Sequence, residues 1–367
     1  MVKLNLLASA ALFAAQSLAY TPAAQHYGYY STVSGFFKQD DNSTEASGFD
    51  YTDNLGLHDN LTWIEFRDQI EALNEEAPNN VSYKVIFFAR HSEGYHNVAE
   101  SYYGTPLWNC YYSLLDGNGT SQWGPDAYLT EKGIDNAINN SYLIKSLIAD
   151  DFPLPQSFYS SPFTRAADTL VLTWADLILD SGYSTPIFKE ALRETIGLHT
   201  CDKRRSKAYL ENRYPDFEFE TGFYDEDLLW TKDTQEDDGA KVLRARQFLD
   251  DLFASDENTY ISVTAHSGVG SAILSAIGHR SFKLATGAII PLVVRRESIL
   301  GFTPPTSTFS ISIGPSGTAP ACSASYSTVP SSVAFATDSL DISSESAPAT
   351  VTVTVTASAY IANMNRD

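Results

Sequence analysis

The chain has 367 residues, of which 43% are hydrophobic, 13% aromatic and 19% charged, a balance that supports a packed core and excludes a disordered or collagen-like chain. Twenty-four basic against 45 acidic side chains leave a formal charge of −21, and a field of that sign argues against nucleic acid as a partner because it repels phosphate backbones. A small phosphorylated partner then requires a local cluster of Arg, His and Lys that overrides the overall charge.

Residues 1–19 carry one cation, Lys3, then the apolar run 4–15, then Ser17-Leu18-Ala19 with small residues where a signal peptidase cuts, which reads as a secretory signal peptide and predicts a secreted, extracellular or cell-wall protein. No later stretch reaches the roughly 18 apolar residues of a membrane span. Sequons begin at Asn42, Asn60, Asn80, Asn118 and Asn139, and several are expected on exposed surface of a glycoprotein. With only Cys110, Cys201 and Cys322, at most one internal bridge forms; Cys110 with Cys201 is the expected pair, leaving Cys322 over.

Residues 20–81 read as an N-terminal extension wrapping the core. They hold one helix, with Leu61, Ile64, Phe66, Ile70 and Leu73 at helical spacing, Asn60 or Thr62 as N-cap and Pro78 beyond its end. From residue 82 to about 300, short apolar runs alternate with helical stretches. This pattern predicts an α/β domain, a three-layer α/β/α sandwich on a mostly parallel sheet.

Its expected elements are a buried strand at 85–88, a helix at 130–150 capped by Thr130 with Ile134, Ala137, Ile138, Tyr142 and Ile148 on one face, a strand at 157–160, a helix at 165–179, a strand at 261–264, a helix at 268–277 and a last strand at 288–294. The acid-rich stretch 215–238 reads as an inserted, solvated subdomain or a lid. Residues 301–367 form a Ser/Thr/Pro-rich tail, expected to be disordered, in which 350–356 alternates at strand period.

Chemistry concentrates at strand ends. Arg90-His91-Ser92-Glu93-Gly94-Tyr95-His96-Asn97 follows the first strand, where side chains of an open α/β sheet project into the ligand crevice. A histidine there can attack phosphorus through a neutral ring nitrogen, and the arginine can clamp phosphoryl oxygens. Ser161-Pro162-Phe163-Thr164-Arg165 again follows a strand and opens a helix, placing Arg165 where free N–H groups favour an anion. Thr264-Ala265-His266-Ser267-Gly268 puts a second histidine at a third strand-to-helix turn.

In order and spacing, Arg90-His91 with Glu93 and Asn97, Leu129-Thr130-Glu131-Lys132-Gly133, Ser161-Pro162 with Arg165 and Ala166, Leu192-Arg193-Glu194, and His266 resemble the histidine phosphatase superfamily in its phosphoglycerate mutase-like branch, over about residues 82–294. Gly94-Tyr95-His96-Asn97 and the run His199-Thr200-Cys201-Asp202-Lys203-Arg204-Arg205 look like its fungal members. The resemblance implies His91 as nucleophile, Arg90, Arg165 and His266 as phosphoryl-binding groups with Asn97 as a further donor, and Glu194 as general acid and base. It implies neither metal nor other cofactor, the cationic side chains supplying the neutralisation.

Two positions depart from the pattern: Ser92 and Ser267 stand where glycines are usual. Serine can donate to phosphate, but its Cβ crowds a tight turn, so activity lowered on an intact fold is the expectation. The acid phosphatase and phytase branch fits less well, since residues 93–95 lack its second arginine and Ser267 replaces its aspartate. Among weaker candidates, His96 faces substrate or packs, Lys203, Arg204 and Arg205 extend the pocket or form a solvated loop, Arg193 is a salt-bridge partner, and Asp126 and Glu131 are structural. His26, His58 and His279 lack metal-ligand spacing.

The reading is therefore a metal-independent phosphomonoesterase acting through His91. Phosphoglycerate mutase-type transfer, or a non-catalytic secreted surface protein that keeps the fold, are the alternatives. The sequence assigns no oligomeric state.

Overall fold

The structure is a computed structural model that describes residues 28–179, 182–299 and 316–322. The leader at 1–19 and the alternating run at 350–356 lie outside the described residues. In chain order the elements are β1 (Gly28–Thr32), α1 (Trp63–Glu75), β2 (Val81–Arg90), α2 (Tyr95–Tyr103), α3 (Thr105–Cys110), α4 (Glu131–Ala149), β3 (Ser157–Ser160), α5 (Thr164–Trp174), β4 (Ile187–Phe188), α6 (Lys207–Arg213), β5 (Glu218–Phe219), β6 (Gln235–Glu236), α7 (Asp238–Ser255), β7 (Tyr260–Ala265), α8 (Ser267–Ala276), β8 (Ile289–Ser298) and β9 (Ser316–Gly317).

A seven-stranded sheet runs β1-β8-β2-β7-β3-β4-β5. β2, β7, β3, β4 and β5 pair in parallel, while β8 and β1 add antiparallel partners at one edge. Alternate side chains of a strand face opposite layers, and β2 shows it: Val85, Phe87 and Ala89 join the core under α1, α4 and α5, whereas Ile86 and Phe88 join the core under α7 and α8. This is the expected mostly parallel α/β/α architecture.

The segment preceding β2 is built into that core. β1 completes the sheet edge against β8. α1 is held by a reciprocal cap in which Thr62 Oγ1 accepts from Glu65 N–H (3.2 Å) and the Glu65 carboxylate accepts from Thr62 N–H (2.8 Å). Trp63, Phe66 and Ile70 are its buried face, and Ile64, expected inside, is exposed. Trp63 lies edge-on to Phe152 (4.9 Å), which in turn meets Phe87 of β2 (4.8 Å). On α4, Thr130 caps as expected, accepting from Gly133 N–H at 3.0 Å, but Tyr142 faces solvent and Ile144 and Leu147 take the core.

Two expectations are overturned. Cys110 bonds Cys322, not Cys201, which is the free, buried thiol; the segment at 316–322 also pairs with the chain through β9 and β6. The acid-rich stretch is not merely solvated: the side chains of Asp227 and Glu236 are 3% and 2% exposed and pair with buried Arg193 and Arg244. A buried guanidinium needs such a partner, and for Arg193 a residue 34 positions along the chain supplies it.

Of the sequons, Asn42, Asn60 and Asn139 are exposed, whereas the Asn118 amide donates to Tyr103 Oη at 3.0 Å.

Two outcomes are expected. Non-reducing peptide mapping recovers Cys110 linked to Cys322, Cys201 alkylates only after denaturation, and Cys322→Ser costs about 2–5 kcal/mol of stability. Burial also pushes the carboxyls of Asp126 and Glu220 up to about 7. Both bind a proton more tightly folded than unfolded, so the stability they contribute is whole below about pH 4 and is lost as pH rises through 7. Melting curves at steps from pH 4.5 to 7.5 should therefore fall with pH in this window, and Asp126→Asn should flatten the fall.

Candidate active site

Three adjacent parallel strands end level with one another. Arg90 of β2 is registered with Ala265 of β7, and Ser160 of β3 with Thr264. The ladder continues one residue further on each side, His91 N–H donating to Ala265 O (2.9 Å) and Ser161 N–H to Thr264 O (3.0 Å). His91, His266 and Ser161 are thereby delivered to one spot. The rings of His91 and His266 stand 5.0 Å apart, and His96 from the first turn of α2 lies 5.2 Å from His91 on another side. Ser161, quoted only as part of a motif, makes a direct contact: its Oγ is 2.7 Å from His266 Nε2.

The three rings are buried, His91 at 2% and His266 at 0% exposure. Burial, then the nearby Arg165 charge, holds each well below the usual imidazole range, so all three are neutral. His91 Nδ1 lies 2.7 Å from the Ser92 carbonyl. A carbonyl only accepts, so Nδ1 carries the proton and Nε2 keeps its lone pair.

Arg165 has no exposure. Its Nη2 donates to Asp202 Oδ1 (2.7 Å), its Nη1 to Cys201 O (2.8 Å), and its Nε has no partner among the described residues. Each Nη has spent one of its two N–H groups and Nε–H is a buried donor with no partner, so the guanidinium keeps donors for a ligand. The start of α5 is likewise occupied: Thr164 N–H donates to both oxygens of Asp126, at 3.0 and 3.1 Å, so this N–H already has a protein acceptor. Arg90 is half-buried, spends Nη1 on Leu284 O (2.8 Å) and leaves its buried Nε without a partner. Asn97 Oδ1 accepts from Gly94 N–H at 2.9 Å, which turns its NH2 outward as a donor. His266 Nδ1 is another buried atom without a partner. Polar atoms left unpaired in a buried site are what an anionic ligand would satisfy.

Glu194 follows β4 and reaches the first turn of α8. Its Oε2 accepts from Gly268 N–H (2.9 Å) and its Oε1 from Thr195 N–H (3.0 Å). A Cβ at Gly268 would overlap that carboxylate, so only glycine permits the approach. Glu194 is the leading charge opposing the effect of burial on Arg90, which places the carboxylate within electrostatic reach of the same pocket.

Ser92 is fully buried, adopts no left-handed backbone, and donates its hydroxyl to Asn136 Oδ1 (3.0 Å) on α4. Ser267 is the half-buried first residue of α8 and also has ordinary backbone geometry. Arg204 does not extend the pocket: it is buried, pairing with Glu190 (2.7 Å) and donating to the carbonyls of Tyr224, Asp225 and Glu226. Lys203 lies over the Trp230 ring and Arg205 over Tyr128 and Tyr209. Arg193 is a salt-bridge residue, paired with Asp227 by two bonds of 2.7 Å.

His199, Cys201 and Asp202 offer ligand atoms within 4.8 Å of one another, the one such group among the described residues. One oxygen of Asp202 is committed to Arg165, and burial raises the Cys201 thiol well above its usual range, so the set serves the guanidinium rather than a cation. Sequence reasoning missed Asp202 as a site residue. Its position between His199 and three basic residues was the available signal, but only contact with Arg165 gives it meaning.

With this geometry in view, the similarities to known proteins are informative. Residues 113–292 match the histidine phosphatase superfamily (branch 1). The chain is 42% identical over 285 residues to a probable phosphoglycerate mutase of Arthroderma benhamiae, covering 73% of this chain and 85% of that protein. It is 37% identical over 270 residues to phosphomutase-like protein 3 of Candida albicans, covering 73% and 81%, and 33% identical over 270 residues to a probable phosphoglycerate mutase of Saccharomyces cerevisiae, covering 67% and 90%. Fold, strand-end histidines and sequence agree, and the chain belongs to the histidine phosphatase superfamily, branch 1.

Proposed function

We propose that this protein hydrolyses phosphomonoesters through a phosphohistidine on His91, and that it acts outside the cytoplasm. The carrying observation is the state of His91, a neutral imidazole with its proton fixed on Nδ1 beside the guanidiniums of Arg90 and Arg165. In the first step the Nε2 lone pair attacks phosphorus and the bond to the leaving oxygen breaks, with Glu194 delivering its proton to that oxygen. The imidazole becomes cationic as it reacts, and the Ser92 carbonyl accepting from Nδ1 stabilises it. In the second step Glu194 takes a proton from water, the water oxygen bonds phosphorus, and the N–P bond returns its electron pair to Nε2.

The unpaired donors on Arg90, Arg165, His266 and Asn97 bind the phosphoryl oxygens and offset their charge. The departures at 92 and 267 do not argue for a non-catalytic surface protein, since neither strains the backbone. The names of the fungal relatives support a second reading, transfer between positions of a phosphoglycerate; the apolar leader and sequons weigh against it, because a glycolytic substrate is not expected outside the cell.

Purified protein should hydrolyse an aryl phosphate in the presence of chelator, and His91→Ala should lose at least about a thousandfold while keeping its melting temperature. Rapid alkaline quench with labelled substrate should trap an acid-labile, alkali-stable phosphoenzyme that the variant lacks. Because burial keeps His91 neutral into acid, the acid limb of kcat/KM should fall below the ordinary imidazole value of about 6.5. Unchanged turnover in His91→Ala would overturn the mechanism, and conversion of 3-phosphoglycerate to 2-phosphoglycerate without phosphate release would select the mutase reading.

A further inference from the structure

Arg244 lies on α7, outside every strand-end motif, with a side chain that has no exposure. All five of its N–H donors are used, and they converge on the segment that carries Glu194. Nη1 donates to the carbonyls of Ala191 (2.8 Å) and Arg193 (2.7 Å), Nη2 to the carbonyl of Glu194 (3.0 Å) and to Glu236 Oε1, and Nε to Glu236 Oε2 (3.2 Å). Glu236 grips the same segment from its other end, since its Oε1 accepts from Ile196 N–H (3.2 Å) and its own N–H donates to Ile196 O (2.9 Å). Lys241, one turn before Arg244, donates to Thr195 Oγ1 at 3.0 Å. A short irregular segment has no ladder of its own to fix its direction. Here one guanidinium and one carboxylate replace the ladder from residue 191 to 196.

Resting on the reading of Glu194 as proton donor, we propose that Arg244 and Glu236 are positioning residues for that proton transfer, touching neither substrate nor phosphoryl group. A general acid contributes only if it lies within hydrogen-bond reach of the leaving oxygen. A loosened segment 191–196 therefore impairs the reaction in proportion to how much the leaving group needs a proton. Lysine at 244 keeps the charge but cannot bridge three carbonyls and a carboxylate at once.

The test is kcat/KM of Arg244→Lys, Glu194→Gln and the double variant on two substrates, p-nitrophenyl phosphate, whose leaving group departs unaided, and a simple alkyl phosphate, whose alkoxide does not. Circular dichroism and melting temperature monitor folding, and Glu236→Gln, equal in size, is the second arm should Arg244→Lys not accumulate folded. The expected result is a loss of about 10–100-fold on the alkyl ester and under about 5-fold on the aryl ester for Arg244→Lys, with little further loss when it is added to Glu194→Gln. Equal losses on both substrates, or losses that multiply in the double variant, would overturn the positioning role. Absence of leaving-group dependence in Glu194→Gln itself would overturn the assignment of Glu194, and the positioning role with it.

Discussion

A guanidinium shut away from water must find acceptors for its N–H groups inside the protein. Arg165, Arg193 and Arg244, each without exposure, surround the chain from residue 190 to 204, and their needs shape it. Arg165 takes the carboxylate of Asp202 and the carbonyl of Cys201, Arg193 takes Asp227, Glu190 and the carbonyl of Asp202, and Arg244 takes Glu236 and three carbonyls around Glu194. Carboxylates from as far away as residues 227 and 236 are recruited to hold cations in a dry interior.

The same network explains how an acidic protein keeps a pocket suited to an anion. Protein acceptors satisfy Arg244 fully but Arg90 and Arg165 only in part, leaving Nε–H groups on Arg90 and Arg165 and Nδ1 of His266 unpaired. Burial, and after it the neighbouring Arg165 charge, lowers the three histidines well below the usual imidazole range. In the proposed reaction, attraction for the phosphoryl group and nucleophilicity of the imidazole would come from one arrangement, since a protonated His91 would bind an anion but attack nothing.

Legibility along the chain followed the range of the interactions involved. The β2, β3 and β7 strands and the helices after them are written in local apolar runs, turns and caps, and Thr130 was readable as a cap because its partner Gly133 is three residues on. Individual faces were less secure: Ile64 and Tyr142 sit at plausible helical spacing yet point to solvent, because packing chooses among similar stripes. Acidity at 215–238 suggested solvation, since Asp227 meets its arginine 34 residues away and nothing in the spacing of Glu236 and Arg244 announces that both are buried.

By itself the sequence determined the fold class and the family, and it offered Arg90, His91, Asn97, Arg165, Glu194 and His266 as candidates for a phosphoryl site. Strand periodicity is a short-range property, and a motif at a strand's end inherits its place from the sheet. Only the tertiary structure decided that Cys110 meets Cys322, that Ser92 donates to Asn136, that Arg165 spends one N–H of each Nη on Cys201 and Asp202, and that Arg244 holds the segment bearing Glu194. Each of these depends on which side chains burial brings together across tens to hundreds of residues. Composition and spacing do not specify that before the chain has folded.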